Sequence, residues 1–212
     1  MSSSSSKSYS SASRAVGRPP AYERSLKAKP SVSLSVFGFL FSEVVKALLE
    51  ETAAQKREGR GEVEFEALLQ QFAHPIGAKA LELCAWREKG HKQDLKVVHI
   101  LQFIHNNVWK SLFGKPADGL EQSYQDDEEQ KGGRNDEFRI IDFNVLPDRF
   151  ISGYSLNTAS FVAGIIEGLL IAAEFPAKVT AVHFEDPNNP DRPDSTIFVI
   201  KFARSVVDRE AR

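Results

Sequence analysis

Residues 157–202 carry the pattern that decides the fold: NTASFVAGIIEGLLIAAEFPAKVTAVHFEDPNNPDRPDSTIFVIKF. The first part is almost entirely apolar and ends ahead of Pro176, which predicts a buried helix up to Glu174 with Asn157 as its N-cap. Apolar and polar residues then alternate over 179–184 and 197–202, and a polar, proline-rich link separates these two stretches. A helix followed by an antiparallel hairpin indicates an α+β domain, with helices covering one face of a small antiparallel sheet.

Towards the N-terminus, helical spacing predicts three further helices, over about 31–57, 62–89 and 94–111. The second contains Pro75 and is expected to bend there. The third has the most regular apolar stripe, which consists of Val97, Leu101, Ile104, Val108 and Leu112. Residues 138–143 alternate as a strand does, and a short extended piece is expected at 149–152. The acidic stretch at about 117–137 is predicted to be a solvated loop.

The N-terminal segment differs in composition from the rest of the chain. Residues 1–30 contain six cationic residues and one acidic residue. The 212-residue chain as a whole nevertheless has a net charge of −2. This charge argues against a globally basic protein that covers the phosphates of a nucleic acid. We interpret residues 1–21 as a disordered Ser/Arg-rich tail and residues 22–212 as a single domain. The alternative is that the tail is an organelle transit peptide. No apolar run reaches the ~18–20 residues of a membrane span.

Residue patterns for catalysis or metal binding are missing from the sequence. His99 and His105 are too far apart along one helix to share a metal ion, and G-x-S-x-G does not occur. Cys84, the only cysteine, lies among apolar neighbours and is interpreted as a packed, unreactive thiol. We therefore expect no catalytic residue, no cofactor and no metal site.

The apolar helix of residues 157–174 contains Gly164, Glu167 and Gly168. Glycines four residues apart predict close backbone approach, which we assign to a crossing of this helix with the sheet. Glu167 has two interpretations: the preferred one places it at the exposed edge of the helix. The other places it in a polar network or a contact between subunits, because a buried carboxylate needs a partner.

The first helix is apolar on more than one side. Its main stripe contains Phe37, Phe41, Val44 and Leu48, and a second set, which includes Val36, Leu40 and Ala47, widens it. A helix of this kind serves the core and a partner at once. We predict a partner interface that consists of Phe37, Leu40, Phe41, Val44 and Leu48.

Several peptides resemble the small-subunit family of the trafficking protein particle (TRAPP) complex, in the family's order over about residues 22–210. They are ERSLK at 23–27, VSLSVFGFLFSE at 32–43, ILQFIH at 100–105, FVAGIIEG at 161–168, FPAKVTA at 175–181 and IKF at 200–202. The chain departs from the family's lipid-modified member, which has an acylated cysteine at the start of its third helix. Gly90, His91 and Lys92 stand there in this chain, so acylation is not expected.

The resemblance implies a non-catalytic scaffold role. Members of the family pair with paralogous small subunits through helical faces, and the chain is also expected to contact a longin-type (sedlin-like) subunit. The assembled complex tethers vesicles and promotes nucleotide exchange on a Rab-type GTPase between the endoplasmic reticulum and the Golgi, which implies a cytoplasmic protein peripheral at these membranes. No nucleic-acid partner is expected. The alternative function is a sensor that encloses a hydrophobic, acyl-sized ligand.

Overall fold

A computed structural model describes residues 32–57, 64–87, 96–122, 137–151, 156–184 and 195–210. The predicted tail, the acidic run at 126–129 and the hairpin loop at 186–194 lie outside these residues. The predicted α+β class is confirmed, since helices pack on a small antiparallel sheet. In chain order the elements are α1 (Leu34–Arg57), α2 (Phe65–Arg87), α3 (Val97–Phe103), a π-helical turn (Ile104–Val108), α4 (Trp109–Phe113), β1 (Gly119–Gln122), β2 (Glu137–Asp142), a 3₁₀ turn (Pro147–Arg149), α5 (Ser160–Ala172), β3 (Ala177–Phe184), β4 (Ser195–Phe202) and α6 (Arg204–Glu210).

The sheet has the strand order β1-β2-β4-β3, and every neighbouring pair is antiparallel. Phe198 of β4 lies opposite Ile140 of β2 and Ala181 of β3, and Ile200 lies opposite Val179. Because side chains alternate between the two faces of a strand, these residues share one face. All five are buried, so this face of the sheet covers the core.

Helix α5 lies at the centre of the domain, where it packs against both α2 and β3. Every residue from Ser160 to Leu170 is buried. A Cβ atom on Gly164 or Gly168 would lie closer than 3.0 Å to the α2 backbone at Gln70 or His74, respectively. The close approach predicted from the two glycines is therefore confirmed, but its partner is α2 and not the sheet.

Several predicted helix boundaries and loops differ from the structure. α2 contains Pro75 within one helix, in agreement with the predicted helical stretch, and the bend expected at Pro75 stays a prediction. Asn157 does not cap α5, which begins at Ser160; its side-chain amide donates to the carbonyl oxygen of Ala181 in β3 instead. The predicted acidic loop contains strand β1. In the extended piece expected at 149–152, Arg149 ends a 3₁₀ turn, Phe150 has helical backbone angles, and Ser152 lies outside the described residues.

The third predicted helix consists of three helical pieces. An α-helix, the π-helical turn and a second α-helix follow each other without a gap. In the predicted stripe, Val97, Leu101, Ile104 and Val108 are buried, whereas Leu112 is 37 % exposed. A π-helical turn adds a residue to the local repeat. The residues that follow it are therefore rotated relative to the pattern of a regular helix.

Candidate interaction surface

The core side of α1 is aromatic. The side chain of Phe41 is 3 % exposed; its ring stacks on Phe37 at 5.7 Å between centroids and meets Phe161 of α5 edge-on at 5.2 Å. Phe37 also makes an edge contact with Phe150 at 5.7 Å. Phe41 therefore belongs to the interior of the domain, and its side chain is not available to a partner.

The opposite side of α1 leaves apolar side chains in solvent. Four of them, in the first turns of the helix and just before it, form what we call the α1 apolar face: Val32 (73 % exposed), Val36 (47 %), Phe39 (76 %) and Leu40 (65 %). Phe39 and Leu40 lie three and four residues after Val36, so each is a neighbour of Val36 on the helix surface. Contiguous exposed apolar surface marks interaction sites in soluble proteins.

Burial separates the five residues predicted as an interface into three groups. Phe41 is buried, whereas Phe37, Val44 and Leu48 are half-buried and pack against the core. Leu40 is the one of the five that is mostly exposed. Phe39 was not among them, although it is the most exposed residue of the face. Helical spacing could have indicated that Phe39 belongs to this face, since Phe39 lies three residues after Val36.

A shallow groove runs along a neighbouring side of α1, towards the segment before α5. Its volume is about 400 Å³, and its lining combines apolar side chains with one cation and one anion: Ser42, Val45, Lys46, Leu49, Glu50, Ala53, Ile151 and Leu156. The groove contains no cluster of groups that would act together in catalysis. The groove is therefore a second part of the surface that α1 presents, in addition to the α1 apolar face.

A group of charged side chains lies where α4 leads into the sheet. Lys115 donates to Asp118 at 2.8 Å and to Asp142 at 2.9 Å, and the indole N–H of Trp109 donates to Asp142 at 2.8 Å. The backbone N–H of Phe143 also donates to Asp118. Asp142 is 2 % exposed, so this cluster fixes helix α4 to strand β2 from within.

The hydrogen bonds of this cluster shift two pKa values. Burial favours the neutral forms of both side chains, but the hydrogen bonds outweigh it. The bond from Lys115 and the N–H of Phe143 lower the pKa of Asp118. The bonds to Asp118 and Asp142 raise the pKa of Lys115. Each side chain is thus held in its charged form, which is the behaviour of a structural ion pair rather than of a proton-transfer site.

Cys84 is 5 % exposed in α2, as its interpretation as a packed thiol requires. Within the described parts of the chain, no group of three or more His, Cys, Asp or Glu residues could hold a metal ion. Residues 90–92 correspond to the position of the acylated cysteine in the family's lipid-modified subunit, and they lie outside the described residues.

An α+β domain whose first helix is apolar on opposite sides is typical of subunits of larger assemblies. Comparison with known proteins identifies the assembly. A model of the transport protein particle (TRAPP) component family matches residues 37–203. The chain belongs to this family.

Two curated relatives match almost the whole chain, and a third matches part of it. The trafficking protein particle complex subunit 5 of Dictyostelium discoideum is 44% identical over 191 residues, which cover 87% of this chain and 92% of the relative. The human protein of the same name is 36% identical over 199 residues, covering 92% of this chain and 93% of the relative. Subunit 31 of the Saccharomyces cerevisiae complex is 37% identical over 122 residues, which cover 58% of this chain and 39% of the relative.

A solved structure has the same fold at low sequence identity. It is a trafficking protein particle complex subunit 3 from Naegleria fowleri, covalently bound to palmitic acid. The TM-score is 0.57 at 12% identity, covering 81% of this chain and 95% of that chain. None of the helices in the described residues is long and apolar enough to cross a membrane.

Proposed function

We propose that the chain is a non-catalytic scaffold subunit of the TRAPP complex and that a paralogous small subunit covers its α1 apolar face. The complex tethers transport vesicles and promotes nucleotide exchange on a Rab-type GTPase between the endoplasmic reticulum and the Golgi. The chain contacts the GTPase only through the complex, and it also binds a longin-type subunit. Its place is cytoplasmic, peripheral at the Golgi and endoplasmic reticulum.

The exposure of Phe39 and Leu40 carries this proposal. These two large apolar side chains are 76 % and 65 % exposed, although α1 buries Phe41 directly beside them. A helix that needed only to close the domain would place polar residues at these positions. A stable interface buries about 1,600 Å² in total, and a few large central side chains supply most of its binding energy.

The scaffold assignment also rests on the relatives. Each of the curated relatives is named as a subunit of the complex and not as an enzyme. The match covers 92% of the Dictyostelium subunit and 93% of the human subunit, so the likeness is not confined to one segment of either relative.

The decisive experiment substitutes Leu40 and measures binding to a purified paralogous TRAPP small subunit. Leu40→Asp places a charge in the proposed interface, and we expect its dissociation constant to rise at least about 30-fold, as for loss of a ~2 kcal/mol central contact. The urea unfolding midpoint of the isolated chain is expected to change little, because Leu40 lies in solvent.

Val182→Asp is the matched control, since Val182 is apolar and 46 % exposed but lies in β3, far along the chain from α1. Binding is expected to be unaffected by it. Normal binding of Leu40→Asp together with weak binding of Val182→Asp would refute the assignment and move the interface to the sheet.

The same preparation tests the alternative of a sensor for an acyl-sized ligand. That alternative rests on the likeness of the fold to a palmitoylated subunit. Native mass spectrometry of the purified chain is expected to give the mass of the protein alone. A stoichiometric adduct of fatty-acid mass would support the sensor instead.

A further inference from the structure

Among the strands that the structure describes, β3 ends the sheet, so within the described residues one of its sides has no neighbouring strand. The backbone N–H and C=O groups on such a side are a template for pairing with any extended chain. Val179 and Ala181 are two residues apart in β3, and backbone groups two residues apart point to the same side of a strand. Both residues are buried, at 0 % and 6 % exposure, so their backbone groups require partners.

Side chains supply these partners on the free side of β3. Gln70 of α2 donates its amide to the carbonyl oxygen of Val179 at 2.6 Å. The N–H of Val179 donates to the carboxylate of Glu167 in α5 at 2.9 Å. Asn157, just ahead of α5, donates its amide to the carbonyl oxygen of Ala181 at 2.8 Å.

This arrangement reproduces what another strand would offer. In a sheet, the N–H of an edge residue finds an acceptor and its C=O finds a donor on the neighbouring strand. Val179 finds that acceptor in Glu167 and that donor in Gln70, and Ala181 finds a donor in Asn157. We infer that Gln70, Asn157 and Glu167 form a side-chain cap that takes the place of a fifth strand and closes the β3 edge to strand addition.

The glycines of α5 explain how the cap is built. Gly164 and Gly168 lie against the α2 backbone at Gln70 and His74, and this approach brings the amide of Gln70 to 3.3 Å from the Glu167 carboxylate. A larger residue at either glycine would separate the two helices. Glu167, the carboxylate in this apolar helix, therefore has a role in the cap. The prediction that Glu167 lies at an exposed edge of the helix is wrong, since it is 7 % exposed.

Two further groups face the Glu167 carboxylate. Nζ of Lys178 in β3 lies 3.4 Å from one oxygen, and Nε2 of His74 in α2 lies 3.4 Å from the other. Lys178 also donates to the side-chain oxygen of Gln70 at 3.2 Å. These contacts hold the carboxylate and the amide in the orientations that Val179 requires.

The cap limits how the subunit assembles. A second copy of this chain, or an extended segment of another protein, could otherwise add to β3 through backbone hydrogen bonds, which select poorly among sequences. With this edge closed, the sheet offers no pairing site at Val179 and Ala181. The inference is independent of the partner proposed for α1, because it rests on contacts within the chain.

The test uses two variants of the full chain and a peptide probe. Glu167→Leu removes the acceptor for the N–H of Val179, whereas Glu167→Gln keeps an acceptor oxygen at a similar volume. We expect amide hydrogen exchange at Val179 to be about tenfold faster in Glu167→Leu, relative to Ile200, and nearly unchanged in Glu167→Gln. Unchanged exchange in Glu167→Leu would overturn the inference.

The probe is a labelled peptide that copies Ala177–Phe184, and it is added to the wild-type chain and to the double variant Gln70→Leu/Asn157→Leu. We expect binding to the double variant alone, and no binding when the peptide backbone is N-methylated at alternate residues. Equal binding of the peptide to the wild type would contradict the cap. If the double variant does not fold, the wild type decides: the N–H of Val179 must exchange more slowly than that of His183, and equal rates would overturn the inference.

Discussion

The contact between α5 and α2 can be tested by the smallest substitution that changes it, Gly164→Ala. In a helix with room for the side chain, alanine stabilises relative to glycine by about 1 kcal/mol. At position 164, however, a Cβ atom would lie 2.8 Å from the Cβ of Ala73 and 2.8 Å from the Cα of Gln70. These neighbours include α2 backbone, so the added methyl group fits only if the two helices move apart.

The two effects have opposite signs, and their sizes decide the outcome. Overfilling a packed interior costs roughly 1–3 kcal/mol, and the upper end applies because backbone atoms cannot turn aside as a side chain can. The gain in helix propensity offsets about 1 kcal/mol of this cost. We therefore expect Gly164→Ala to lower the free energy of unfolding by about 2 kcal/mol, which corresponds to a decrease in Tm of roughly 4–8 °C for a domain of this size.

Thermal and urea unfolding followed by far-UV circular dichroism measure this change. Ala54→Gly is the matched control, because Ala54 is exposed on α1. It is expected to cost about 1 kcal/mol, which calibrates the propensity effect in this protein. A Gly164→Ala protein that is as stable as the wild type, or more stable, would refute the close approach of α5 and α2.

Three further substitutions or conditions test other parts of the domain. Trp109→Phe removes the indole donor of the buried Asp142, and we expect a loss of about 1–3 kcal/mol in urea unfolding; a loss below ~0.5 kcal/mol would show that Asp142 is satisfied without it. Because the pKa of Asp118 is lowered in the folded chain, its contribution to stability is present above the ordinary aspartate pKa of 3.8 and is lost as the pH falls through the lower folded pKa. The difference in unfolding free energy between wild type and Asp118→Asn is therefore expected to shrink below about pH 4, and a constant difference would contradict the ion pair. Phe41→Asp is expected to leave the isolated chain unfolded, since it places a charge in the core; a folded Phe41→Asp monomer by circular dichroism would return Phe41 to the interface.

The sequence predicts well those helices and strands in which apolar residues recur at regular spacing. Helices α1, α2 and α5 and the β3–β4 hairpin are long, regularly patterned segments, and each was expected near its observed place. Strand β1 was missed because it has four residues and little apolar content. It is a strand because Leu120 pairs with Ile140, a contact between segments that no local pattern reveals.

The same limit applies to the short C-terminal helix. α6 was not predicted, and tertiary contacts at its end hold it: Glu210 accepts from the N–H of Val97, and the guanidinium of Arg209 lies 4.4 Å from the centre of the Phe175 ring. A seven-residue helix is marginal without such contacts. Its existence therefore depends on residues more than thirty positions away.

Polar side chains were the hardest to place. Asn157 has the residue type of an N-cap, and Glu167 resembles a residue at a solvent edge, yet both bind the backbone of β3. Helical spacing fixes only the angle of a residue around its own helix. Whether solvent, a second helix or a strand lies at that angle depends on the tertiary fold.

The prediction for α1 has a related limit that bears on assembly. Its spacing showed apolar residues on two sides, but the sequence alone could not tell which side faces the core, so Phe41 and Leu40 were placed in one interface. The structure separates them, and it leaves side chains exposed on α1 while it closes the backbone of β3. These surfaces differ in selectivity, because an apolar helix face recognises the shape of its partner, whereas a strand edge accepts almost any extended chain. A subunit that binds other subunits of its complex therefore gains specificity when its first helix is open and its edge strand β3 is capped.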